Sequence, residues 1–230
     1  MLLYISADSS PVSTRELNIS SAVSYSCFLK ASKALHITQP TLSRQIKELE
    51  DEIGRTLLIR GNRHVTLTEE GIFLKNRAEE ILNIQAYGLV KRIKHVNPQS
   101  LVIGLSGGLD SCLALLVIIK ACDILKIDHK NVIAISMPCF GTSSRTKSNA
   151  SVFAEAVGVT FKEINIKDAV EGVIRQMKGM DITKQTRTNL PARIRMATLY
   201  AVSQSKNGRV INTCNLSEDW VGYSTRYGDA

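Results

Sequence analysis

At 230 residues, with 44% apolar and 22% charged side chains, the chain is long enough for one large or two small domains with packed cores. Its formal net charge of +8 suits polyanionic partners, nucleic acid or nucleotides. Five scattered cysteines (Cys27, Cys112, Cys122, Cys139, Cys214) form no C-x-x-C pair, which argues for a reduced, cytoplasmic protein and against a zinc site. No run approaches the ~18 apolar residues of a membrane span, and the first ten residues lack the apolar run and basic flank of a signal peptide. The four histidines, His36, His64, His95 and His129, have no metal-ligand spacing and read as structural or solvated.

The first half is expected to be mainly helical. Ile19–Tyr25 is a Ser-rich candidate helix, and Phe28–Leu35 is a short one with Ala31 and Ala34 as small packing residues. His36-Ile37 makes a tight turn. Thr38 is a candidate N-cap, and Pro40 sits in the first turn, where its missing donor costs little. Leu42, Ile46, Leu49 and Ile53 recur at helical spacing as one buried stripe. The opposite face carries Gln39, Thr41, Ser43, Arg44 and Lys47. Two helices joined by so short a turn, the second polar and basic at its start, describe a helix-turn-helix. Thr56–Arg60 and His64–Thr68 are expected to pair around Gly61-Asn62-Arg63 as a basic wing, and a long helix then runs from about Leu67 to His95.

The second half alternates. Strands are expected at Leu101–Leu105, Val132–Met137, Thr160–Ile166 and Arg209–Thr213. Helices fall at about Ser111–Ile124, Arg145–Val157, Asp168–Met177 and Asn189–Lys206. This pattern gives right-handed crossovers and a parallel sheet, with ligands bound beyond the carboxyl ends of the strands. Three informative segments lie there: Ser106-Gly107-Gly108-Leu109-Asp110-Ser111, Met137-Pro138, and Thr213 to Glu218. Glycines allow close backbone approach, and the helix start favours an anion. Ser106 and Ser111 add hydroxyls, and Asp110 can hold a metal beside phosphate oxygens. The segment lacks the Gly-Lys-Ser/Thr of a Walker loop and the G-x-G-x-x-G of dinucleotide folds. Taken alone, Glu218 also suits a solvated loop, and Arg193 and Arg195 a helix surface.

SGGLDS after a strand resembles the pyrophosphate loop of the ATP pyrophosphatase superfamily. Within it, the run from about Glu80 to Ala230 resembles NAD synthetase, through EEILNIQAYGLVKRIKH, NLPARIRMATLYAVSQSKNG and NTCNLSEDWVGYSTRYGDA. KASKALHITQPTLSRQIKELEDEIGRTLLIRGNRHVTLTEEG (Lys30–Gly71) resembles the winged helix-turn-helix of LysR-type transcription regulators. The resemblances imply an α/β fold: a parallel-sheet, Rossmann-like adenine-nucleotide domain (81–230) preceded by a winged helix-turn-helix (15–80), with 1–14 unassigned.

They also imply roles. Gly104, Ser106, Gly107, Gly108 and Ser111 would cradle the ATP pyrophosphate, and Thr213 would contact ATP. Asp110 and Glu218 would hold Mg²⁺ and serve catalysis. Arg193 and Arg226 would contact deamido-NAD, with Arg226 standing where the family usually has Lys and Asn212 where it usually has Gly. Gln39, Pro40, Thr41, Ser43 and Arg44 would face the major groove of double-stranded DNA, with Arg60 and Arg63 near the backbone or minor groove. The implied reaction is amide ligation of deamido-NAD with free ammonia, by a cytoplasmic homodimer without membrane association. The family pattern continues past the Y-G-D segment, so the expectation is an incomplete domain with impaired turnover. A natural fusion, a truncated reading frame and an artificial joining all fit. So does the alternative of a LysR-type regulator fragment whose second half is a non-catalytic nucleotide-binding or dimerising remnant.

Overall fold

The computed structural model describes residues 39–61, 65–140 and 144–214, together with 218, 220, 225, 227 and 228. The chain divides into two compact units whose boundary falls between Ile84 and Gln85. The expected helices at Ile19–Tyr25 and Phe28–Leu35, the His36-Ile37 turn, the Thr38 cap and the wing tip at Asn62-Arg63 lie outside the described residues.

In the smaller unit, α1 (Gln39–Ile53) is followed by β1 (Leu58–Arg60) and β2 (Val65–Leu67), an antiparallel pair with Leu58 opposite Leu67. The long helix α2 (Glu69–Val96) comes next. Leu42, Ile46 and Leu49 are buried with Leu57, Leu58 and Val65, and Leu67 and Leu74 pack against them. Ile53, expected in the same stripe, is 42% exposed. It is the last residue of α1, and Gly54 at φ +68° turns the chain there, so Leu57 and Leu58 continue the core instead. Glu50 fastens the helix to the hairpin: its Oε1 accepts the N–H groups of Leu57 (2.8 Å) and Leu58 (3.1 Å). The Thr68 hydroxyl accepts the Gly71 N–H (3.0 Å) and donates to the Thr56 carbonyl (2.7 Å), capping α2. Thr56 and Thr68 therefore serve the cap, and both strands are shorter than expected.

The larger unit begins within α2, where Ala86, Leu89, Val90 and Ile93 form a buried stripe at helical spacing. It continues as β3 (Ser100–Gly104), α3 (Leu109–Leu125), β4 (Val132–Ser136), α4 (Ser144–Ala156), β5 (Thr160–Glu163), α5 (Lys167–Gln176), α6 (Lys184–Ser205) and β6 (Gly208–Ile211). All four strands are parallel, in the order β5-β4-β3-β6. The chain moves outward from β3 to β4 and β5, then returns across the sheet to pair β6 with the other edge of β3. With right-handed crossovers, that reversal puts α5 and α6 on the face opposite α3 and α4. Val102, Ile133, Ile135 and Val210 accordingly pack with Val170 of α5 and with Met196 and Leu199 of α6. Gly208 pairs with Ser100, and a Cβ there would overlap the Ser100 hydroxyl and lie 2.9 Å from its carbonyl oxygen.

α6 starts at Lys184, five residues before the expected Asn189. Thr183 caps it by accepting the Thr186 N–H (3.1 Å), and Pro191, which from sequence suits a first turn, lies inside the helix. No helix among the described residues is long and apolar enough to cross a membrane.

His129 ties α3 to the chain after α4. Its Nε2 lies 2.8 Å from the Asp123 carboxylate and its Nδ1 3.0 Å from the Val157 carbonyl. Both partners only accept, so both bonds require the doubly protonated ring. Its pKa is raised, chiefly by the Asp123 bond. The associated stability is present below the unfolded-state value of about 6.5 and is lost as pH rises through the higher folded-state value. Thermal melts from about pH 5.5 to about pH 8.5 should show the wild type losing its advantage over His129→Gln as pH rises. The difference should stay under about 1 kcal/mol, because both groups are partly exposed. A gap that does not change with pH refutes this account.

Candidate functional site

The return of the chain to β6 makes the carboxyl ends of β3 and β6 a point where neighbouring connections diverge, the usual position of a crevice in an open parallel sheet. A cavity of about 570 Å³ lies there. Its apolar part includes Ile135, Met137, Met196, Leu199 and Ile211, and its polar part includes Ser106, Asp110, Ser111, Thr213 and Glu218. Gly104 borders it as well; a Cβ there would sit 3.3 Å from Leu199 Cδ1.

The β3–α3 loop is organised by its own polar groups. Ser111 is buried, and its hydroxyl donates to the Gly108 carbonyl (3.0 Å). The Gly108 N–H donates to Ser106 Oγ (3.1 Å). The two serine oxygens are 3.1 Å apart, and since the Ser111 proton is already used, Ser106 is the donor between them. The three bonds close a ring. Gly107 takes φ +81°, open to glycine at little cost. Gly108 caps α3 without a side chain, so no capping group covers the first-turn amides.

Asp110 and Glu218 both line the cavity, from elements far apart in sequence. Among the described residues no group of three or more His, Cys, Asp or Glu assembles. Two carboxylates beside serine hydroxyls do not make a protein cage; they are the donor set of a magnesium ion completed by substrate phosphates. After β6, the buried Asn212 accepts the Cys214 N–H through its side-chain oxygen (2.8 Å), a local turn that presents Thr213 and Cys214 at the cavity. Cys112, beside Ser111, is no nucleophile at neutral pH: burial pushes its thiol up to about 11.

Gly104, Ser106, Asp110, Ser111, Thr213 and Glu218 thus meet at one cavity, as read from sequence, while Gly107 and Gly108 shape the loop behind it. Arg193 is exposed on α6 and does not line the cavity; Arg226 lies outside the described residues. Sequence reasoning missed the stripe Gln185, Thr188, Arg195 and Leu199, all lining residues. Its signal is the spacing i, i+3, i+10 and i+14, one face of a 3.6-residue helix, from which Arg193 is rotated by roughly 120° or more. Arg195 donates from Nε to the Met137 carbonyl (3.1 Å), joining α6 to the end of β4.

In the smaller unit Gln39, Pro40, Arg44 and Lys47 are exposed on α1, and Thr41 lies on the same helix. Arg44 pairs with Glu48 (3.6 Å). Arg60 donates to the half-buried Ser43 hydroxyl (3.1 Å) and pairs with Glu50 (3.5 Å), so two side chains expected near DNA touch each other. Arg63 lies outside the described residues.

A family model described as NAD synthase matches residues 81–230. The chain belongs to the NAD synthase family. A second model, the bacterial regulatory helix-turn-helix of the lysR family, matches residues 19–72, ahead of the NAD synthase domain. The chain is 36% identical over 160 residues to a glutamine-dependent NAD(+) synthetase of Mycobacterium leprae, an alignment covering 67% of this chain and 23% of the relative. An NH3-dependent NAD synthetase structure from Campylobacter jejuni matches at a TM-score of 0.57 and 33% identity, covering 66% of this chain and 62% of that one. The structure of an NMN synthetase from Francisella tularensis matches at 0.58 and 28%, covering 66% and 60%. The chain therefore spans about a quarter of the first relative and three-fifths of each solved NAD synthase relative.

Gly107→Ala would force φ +81° on a side-chain-bearing residue. It is expected to lower the unfolding free energy by about 1–2 kcal/mol, read as a shift of the urea midpoint. An unshifted midpoint means that the loop relaxes to another path.

Proposed function

We propose that the larger unit binds ATP with Mg²⁺ and ligates ammonia to deamido-NAD. The observation that carries this reading is the ring-closed β3–α3 loop with Asp110 and Glu218 at one cavity. Gly104, Ser106, Gly107, Gly108 and Ser111 bind the pyrophosphate portion, and Thr213 contacts the nucleotide. Arg193 and Arg226 are assigned to deamido-NAD. Asp110 and Glu218 hold Mg²⁺, which when bound neutralises charge on phosphate oxygens. The nicotinate carboxylate attacks the α-phosphorus, pyrophosphate leaves, and ammonia then displaces AMP to form the amide. The protein's part is to hold the reacting groups in line and to meet the charge that develops on the leaving phosphates with loop amides and hydroxyls. It uses no side-chain nucleophile.

Isothermal titration with ATP and Mg²⁺ should give binding that Asp110→Ala weakens by about 10-fold or more. Equal affinity removes the metal role of Asp110. Turnover is read as AMP and NAD formed from ATP, ammonium and deamido-NAD. An NMN product from the corresponding mononucleotide would redirect the substrate assignment, because one similar structure is an NMN synthetase. ATP binding without turnover favours the reading of the second half as a non-catalytic nucleotide-binding element.

We further propose that the smaller unit binds double-stranded DNA. The lysR-family match and the exposed polar start of α1 support this. Gln39, Pro40, Thr41, Ser43 and Arg44 are assigned to base edges, and Arg60 and Arg63 to the backbone or minor groove. Gel-shift affinity should fall steeply with salt as phosphate contacts release counterions. Arg44→Ala should relax sequence preference, and Arg63→Ala should weaken binding to all sequences alike. Salt-independent binding, or none to any duplex, sinks the assignment. Both activities suit a cytoplasmic homodimer.

A further inference from the structure

We propose that Arg195 is the oxyanion-binding side chain of the cavity, holding phosphate oxygens of the nucleotide; this rests on the ATP-binding reading above. The charge balance carries it first. Asp110 and Glu218 bring two negative charges to the cavity wall, and a nucleoside triphosphate brings several more. Among the described lining residues, Arg195 is the only lysine or arginine. Loop amides and hydroxyls supply partial charges; Arg195 supplies the one whole positive charge fixed to this wall.

Its geometry suits the task. The Nε–H donates to the Met137 carbonyl at 3.1 Å, and both residues line the cavity. This bond fixes the guanidinium plane and lowers the entropy lost when a ligand is gripped. The two Nη groups have no other protein partner among the described residues. An arginine fork with one donor spent on the backbone and the rest unspent matches a tetrahedral phosphate, which it can meet with paired, charge-assisted hydrogen bonds. Half-buried in the cavity wall, it is less screened than a surface cation. Arg193, two residues earlier, has neither the cavity position nor the Met137 anchor.

The test is titration of the whole chain with ATP, AMP and adenosine, using wild type, Arg195→Ala, Arg195→Gln and Arg195→Lys. Arg175→Ala, an exposed arginine on α5 away from the cavity, is the charge-matched control. Arg195→Ala and Arg195→Gln should weaken ATP by about 10- to 100-fold while leaving adenosine within about twofold. Arg195→Lys, which keeps the charge without the fork, should fall between. Gln retains an N–H that can reach Met137, so it decides the matter if the Ala variant does not fold by circular dichroism. Equal losses for ATP and adenosine would reduce Arg195 to a packing role, and an unchanged ATP affinity would remove it from phosphate binding. If the wild type itself binds no ATP while its fold is intact, the nucleotide reading fails and takes this inference with it.

Discussion

The parallel hydrogen-bond ladders on the two edges of β3 are the constraint from which the larger unit follows. One edge pairs Leu101–Gly104 with Val132–Ile135, and the other pairs Ser100–Ile103 with Gly208–Ile211. A strand bonded in parallel on both sides cannot be reached by hairpins, so every neighbour must arrive through a crossover. The direction of the crossovers reverses after β5, which separates the helices onto two faces and parts the connections above β3 and β6. The cavity is the space this parting leaves. Its polar wall comes from whatever follows those two strands, namely Ser106 to Ser111 and Asn212 to Cys214.

Within that frame, short-range hydrogen bonds set the fine geometry. The serine–glycine ring after β3 and the Asn212 turn after β6 each hold a few backbone groups at the cavity rim. Arg195 adds a tie from the opposite layer to the end of β4. The smaller unit uses the same economy: one Glu50 carboxylate serves two hairpin amides and the Arg60 guanidinium, so the orientation of the hairpin and the start of α1 are set together.

Strands and helices of the larger unit were legible because each is an apolar run of the right length between turn residues, and their alternation admits few topologies. SGGLDS was legible because its chemistry is contiguous. Ile53 was misjudged since periodicity marks a face but not where a helix end leaves the core; Gly54 decides that by turning the chain. The start of α6 was misplaced because Pro191 suits a first turn, and the cap that overrides it, Thr183, is an ordinary residue in an ordinary stretch. Arg195 was passed over for a related reason. A charged residue on a helix declares its role only when it is known which face meets the sheet, and the Met137 carbonyl that anchors it is 58 residues away.

The partner that completes the cavity comes late in the chain: the Ser100 hydroxyl donates to the carbonyl of Lys206, 106 residues further on. Contacts over such separations carry a large loop-closure cost and form slowly relative to local ones. As the polypeptide is synthesised, the glycine-rich loop can close its ring early, whereas one ladder of β3 stays open until β6 emerges. During that interval the half-built sheet presents unpaired amides and carbonyls beside a run of apolar side chains, the circumstance in which nascent chains join edge to edge. The catalytic crevice and the greatest hazard of folding thus share one strand, and the span between β3 and β6 sets how long the hazard lasts.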